Sequence, residues 1–220
     1  MLSVCMTVSA VPAVYAADGA AAQGGASGAS DINGHWASTA MQEFIDAGYL
    51  NGTGGGSYKP DGTMTRAQFA AILNRMLRYT EESADITKYS DITAAAWYRA
   101  DMAKALAAGY MSGTSADNMS PETAVTREQA FVMLARILKL DTSDTSSLSA
   151  YADADDVSDW AKGSTAALIK AGYVSGDDNK KINPKKPMTR AEGVTVLSRS
   201  KAALDEHKVI TKGVYTDGVY

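Results

Sequence analysis

Cysteine is nearly absent: Cys5 is the only one in 220 residues. It lies in the stretch 1–16, which is apolar, small and ends Val14-Tyr15-Ala16. That ending fits the small-x-small rule of signal peptidase, so residues 1–16 are expected to be an export leader. No lysine or arginine precedes Lys59, so the basic start of an ordinary leader is missing and the leader reads as truncated. With the leader removed no thiol remains, which excludes a disulfide, a thiolate metal site and a cysteine nucleophile. Long apolar runs are lacking too. Pro12 interrupts a leader run that is already too short, so no membrane span is expected after leader removal. Excess positive charge is missing: the net charge is -4, which argues against a broad nucleic-acid footprint. Histidine is confined to His35 and His207, which share no ligand spacing, so no zinc site is expected. The acidic runs at Asp153, Asp155 and Asp156 and at Asp177-Asp178-Asn179 lack the calcium-loop pattern with its closing glutamate. No phosphate-cradling glycine loop follows a strand, and no Gly-x-Ser-x-Gly is present. Composition leaves paired carboxylates for glycan hydrolysis open, but the acids lie mostly in turns and caps. A non-enzyme without cofactor or metal is the expectation.

What is present is a globular composition, 45% hydrophobic and 21% charged, in a chain long enough for one good-sized core or two small ones. It is organised as three copies of one unit. Trp36, Trp97 and Trp160 are spaced by 61 and 63 residues. Gly48, Gly109 and Gly172, then Pro60, Pro121 and Pro184, then Arg66, Arg127 and Arg190 keep the same spacing. Each copy opens on an aspartate turn (Asp31, Asp91, Asp153), followed by the tryptophan and an apolar stretch of helical period. The stretch ends at Ala-Gly-Tyr, where glycine reads as a left-handed helix C-cap. A loop with a second glycine (Gly52, Gly113, Gly176) leads to the proline. Then comes Thr-Arg-x-Gln/Glu, a capping box that starts a second helix at Thr65, Thr126 and Thr189. That helix shows Phe69, Ile72, Leu73, Met76 and Leu77 in copy one, and Ala130, Met133, Leu134, Ile137 and Leu138 in copy two. Copy three is weaker, with Gly193, Val196, Leu197, Ser200 and Lys201. A two-helix unit cannot bury both apolar faces alone, so the three are expected to share one compact domain. The expected divisions are leader 1–16, flexible linker 17–30, repeats 31–80, 89–140 and 151–204, and a tail 205–220. Val209-Ile210 and Val214-Tyr215 in the tail hint at strand, and the joints between repeats read as short irregular connections.

The order Asp31, His35-Trp36-Ala37, Gly48, Gly52, Pro60-Asp61-Gly62, Thr65-Arg66-Ala67-Gln68, repeated in copies two and three, resembles the S-layer homology repeat of bacterial surface proteins. The resemblance implies a mainly all-α fold, with three helix-loop-helix repeats packed as a pseudo-threefold bundle. It implies a secreted, monomeric anchor held noncovalently on the cell wall or S-layer, in association with peptidoglycan. The implied ligand is a secondary cell-wall polysaccharide with a pyruvylated sugar, bound in grooves between repeats and contacted by the arginine of the Thr-Arg motif. A protein-interaction or lattice-forming scaffold without direct glycan binding is the alternative. The departures are Gln68 and Gln129 where the family often has Glu, Ala96 and Asp159 where copy one has His35, and Lys185-Lys186 after the third proline. Copy three is therefore the weakest candidate site.

The residue chemistry fits an anionic sugar. A pyruvyl ketal carries a free carboxylate, which a guanidinium fork can pair through two bonds. Unpaired N–H groups and the dipole at a helix start would reinforce that preference. The candidate ligand-binding residues are Arg66, Arg127 and Arg190, Trp36, Trp97 and Trp160, Asp31, Asp91 and Asp153, and Gly48, Gly109 and Gly172. Beside these stand plainer readings. The arginines could be solvated charges or carboxylate partners. The tryptophans read as core more readily than as sugar platforms, because each begins an apolar face. The aspartates read as turn or capping residues, and the glycines as backbone devices that could also admit a ligand.

Overall fold

A computed structural model describes residues 31–207. The leader 1–16, the linker 17–30 and the strand hints at Val209-Ile210 and Val214-Tyr215 lie outside the described residues. The mainly all-α expectation holds. The helices are α1 (Ser38–Asp46), α2 (Arg66–Leu77), α3 (Arg99–Ala107), α4 (Arg127–Ile137), α5 (Asp159–Lys170) and α6 (Arg190–Arg199). Residues 201–207 are again helical, across the expected repeat boundary at 204. The joints between repeats are more ordered than their composition indicates, since each contains a 3-10 turn, Ala84–Lys88 and Ser146–Ala150.

Local chemistry accounts for the helix ends. In all three copies the threonine side chain accepts from the N–H of the residue three ahead, and that Gln or Glu side chain reaches back to the threonine N–H. The first helices end on Gly48, Gly109 and Gly172 at φ of 71, 73 and 76°, a left-handed conformation that glycine takes without strain. In copy one the Gly48 N–H donates to the Ile45 carbonyl and the Tyr49 N–H to the Phe44 carbonyl, which satisfies two orphan acceptors of α1.

Helices pair between copies. α2 packs on α3, α4 on α5, and α6 returns to α1. The predicted faces of α2 and α4 form the core; Phe69, Leu73, Phe131 and Leu134 are fully buried. The eroded face of copy three packs as well. Gly193 lies close beneath the Met64 side chain. Ser200 is fully buried and satisfies its hydroxyl on the Val196 carbonyl of its own helix. Leu204 carries the apolar face into the next helical stretch. The weakness read from side-chain type is thus offset by a closer approach and a further helical stretch after α6.

The second glycine of each loop has a role that the sequence pattern left unstated. A Cβ on Gly176 would lie 2.6 Å from a Tyr151 ring carbon and 2.9 Å from the Lys181 carbonyl; at Gly113 the Tyr89 ring stands 2.7 Å away. In copies two and three these loops close over the tyrosine two residues before the aspartate, whereas Gly52 of copy one closes on the Ser57 carbonyl. Gly176→Ala is expected to destabilise the fold by about 1–3 kcal/mol, as overpacking against fixed atoms does. A urea unfolding midpoint unchanged from the parent would refute this.

Candidate functional site

The copies are joined head to tail at the start of each second helix. The Met64 N–H donates to the Met188 carbonyl, Met188 to Val125, and Val125 back to Met64, each at 2.9 Å. All three residues are fully buried. Single antiparallel bridges flank this cycle, at Thr63 with Thr189, Thr65 with Ala124 and Thr126 with Pro187. The next two N–H groups of each helix are also taken by a neighbouring copy. Arg66 donates to the Thr123 carbonyl and Ala67 to Pro121; Arg127 donates to Lys186 and Glu128 to Pro184; Arg190 donates to Gly62 and Ala191 to Pro60. This corrects the expectation of unpaired first-turn N–H groups at the ligand. They hold the next copy's loop instead.

The arginines follow the same path. Arg66 Nε donates to the Met119 carbonyl at 2.9 Å and Nη2 to Ser112 at 3.0 Å. Arg190 Nε donates to Tyr58 at 2.6 Å and Nη2 to Asn51 at 2.7 Å. Arg127 Nε donates to Ile182 at 2.7 Å, and its Nη1 stands 3.7 Å from Glu192 Oε1. Arg66 and Arg190 are only 4% exposed. The solvated-charge reading therefore fails for physical cause: each fork is inserted between two loop carbonyls or beside a carboxylate of the next copy. Burial lowers the pKa of all three, while the charges of Asp91 on Arg66, of Glu192 and Asp153 on Arg127, and of Asp31 on Arg190 oppose that shift.

The aspartates complete this arrangement from the other side of the loop. Asp31 accepts from the N–H groups of Tyr58 and Lys59, Asp91 from Met119 and Ser120, and Asp153 from Ile182 and Asn183. They cap the loop before the proline rather than a helix. There Lys59, Ser120 and Asn183 hold left-handed φ of 46, 52 and 54°. One peptide group thus bonds to its own copy's aspartate through N–H and to the preceding copy's arginine through C=O. Burial pushes the Asp31 carboxyl up, but hydrogen bonds from Ser57, Lys59 and Tyr58 outweigh it and hold it below the ordinary value.

The tryptophans overturn the core reading. Trp36, Trp97 and Trp160 are 64, 38 and 58% exposed and are the large apolar side chains left open to solvent among the described residues. The buried position is the one after each: Ala37, Tyr98 and Ala161. Trp36 and Trp97 sit in the turn before their helix, one position off its apolar face. The structure places Gly48, Gly109 and Gly172 at open surface, where an added Cβ would meet nothing within 4 Å. Among the described residues, no group of three or more His, Cys, Asp or Glu is placed to hold a metal ion, and no helix is long and apolar enough to cross a membrane.

The chain matches the S-layer homology domain three times, over residues 30–70, 88–131 and 150–192. The chain belongs to the S-layer homology family. It is a bacterial cell-surface module. Among its relatives is the surface-layer 125 kDa protein of Lysinibacillus sphaericus, 30% identical across 80% of this chain and 15% of that protein. The cellulosome-anchoring protein of Acetivibrio thermocellus is 28% identical across 70% of the chain and 35% of its own length. An amylopullulanase of Thermoanaerobacterium thermosulfurigenes is 28% identical across 76% of the chain but only 9% of itself. The chain therefore spans a minor part of these relatives.

Proposed function

We propose that this chain is a noncatalytic anchor that holds a surface protein on the cell wall. It binds an anionic, pyruvylated secondary wall polysaccharide where one S-layer homology repeat meets the next. The three repeats are arranged about a pseudo-threefold axis, and the chain acts as a monomer. The observation that carries the reading is the exposure of Trp36, Trp97 and Trp160 at one register of the repeat. A solvent-facing indole offers an apolar plate to a sugar face. The buried Arg66 and Arg190 each place a positive charge at their joint, weakly screened and opposed in part by Asp91 and Asp31. Asp31, Asp91 and Asp153 act on the ligand by fixing the loop that the arginine holds. The open glycines leave room for a polymer to lie across the surface. Several such joints on one chain would add avidity.

The test is retention on purified walls before and after the secondary polymer is stripped. Binding to native walls and not to stripped walls is the expected result. Equal retention on both would refute the reading, and self-assembly without wall material would favour a protein scaffold instead.

A further inference from the structure

We infer that the joint between copies two and three is shut to external ligand by the protein's own carboxylate, Glu128, leaving two working grooves. The inference rests on the polysaccharide-binding reading above and concerns which of its joints operate.

Glu128 directly follows Arg127 and is 3% exposed. The same register holds Ala67 in copy one and Ala191 in copy three, so those copies bring only a methyl group to their joints. From α4 the Glu128 carboxylate reaches into copy three. Its Oε2 accepts from the Ser158 N–H at 3.0 Å. Its Oε1 accepts from the Ser158 hydroxyl at 3.1 Å and from Lys185 Nζ at 2.7 Å. Lys185 Nζ also bonds the Ser158 hydroxyl, which closes the triad. This is a complete carboxylate cradle of backbone N–H, hydroxyl and ammonium, and it is filled from within.

The neighbouring charges are committed as well. Arg127 faces Glu192 at 3.7 Å, and Lys186 Nζ bonds the same Glu192 oxygen at 3.2 Å. An arriving carboxylate would meet two resident carboxylates and donors already in use, a like-charge arrangement that repels. Ser158 of the triad lies two residues before Trp160, the indole that borders this joint in the binding reading above. Copy three is therefore not weak because its helix face is eroded; its joint with copy two is occupied.

Isothermal titration of the folded chain with a methyl glycoside bearing a pyruvyl ketal tests this. The parent is expected to bind two equivalents. Trp36→Ala and Trp97→Ala are each expected to bind one. Glu128→Ala, which installs the residue of the other two copies, is expected to bind three. Three equivalents for the parent, or two for a folded Glu128→Ala, would overturn the inference while leaving the binding reading intact. No binding by the parent would overturn the binding reading itself. A second measurement is independent of the sugar. Glu128→Ala is expected to melt below the parent and to regain part of the lost Tm in acetate but not in equimolar chloride. Equal response to the two salts would show that no cradle exists. Should Glu128→Ala fail to fold, the parent stoichiometry still decides.

Discussion

Arg66→Ala is expected to lower the stability of the whole domain by about 3 kcal/mol, because two buried loop carbonyls lose their donor at about 1–2 kcal/mol each. Those carbonyls belong to Met119 and Ser112 of the next copy, so the loss falls on the joint between copies and not on one helix. Asp91 would also be left without its cation across the loop. Arg66→Lys is expected to recover only part of the deficit, since one ammonium cannot replace a fork that spans two acceptors. Urea unfolding of parent and variants checks this. A midpoint unchanged in Arg66→Ala would show that the guanidinium does not hold the joint and is free for a ligand. The prediction also warns against reading lost wall binding in an arginine variant as lost ligand contact. Such a variant weakens the scaffold that presents the groove, so its binding has to be compared at matched folded fraction.

Much of this joint was legible as pattern and little of it as contact. The capping boxes at Thr65, Thr126 and Thr189 depend on residues three apart, and each appears as read. The C-cap glycines depend on one dihedral, and each adopts it. The helix faces of α2 and α4 follow from period alone. The arginines could not be assigned in this way. Their acceptors are main-chain carbonyls 46 to 139 residues away, and a carbonyl leaves no mark in a sequence. The one available signal was register: an aspartate, a proline and an arginine repeating with the same spacing are what a cycle of Asp, loop and Arg contacts would require. Glu128 carried a clearer signal. It stands where copies one and three have Ala67 and Ala191, and Lys185-Lys186 follows the third proline where the first two are followed by an acid, Asp61 and Glu122. Two departures of opposite charge in adjoining copies become one ion pair.

The double variant Trp36→Ala with Trp97→Ala is expected to reduce wall binding on the order of 10²-fold, at roughly 1–2 kcal/mol per truncated aromatic anchor. Its stability is expected to change by no more than about 0.5 kcal/mol per site, the usual range for surface positions outside the packed core. Trp36 contacts the His35 ring and Trp97 the Tyr98 ring, but neither is enclosed. This separation of readouts is what an arginine variant cannot offer. The misassignment of the tryptophans to the core has a definite cause. An apolar residue at the start of a periodic stretch is counted into its face, yet in copies one and two the helix begins only two residues later, and in all three copies the inward position passes to Ala37, Tyr98 and Ala161. Among the described residues these three indoles are the large apolar side chains left exposed, which is what the proposed sugar contact requires of them. If the double variant binds native walls as the parent does, the indoles serve another surface, and the groove reading loses the observation on which it stands.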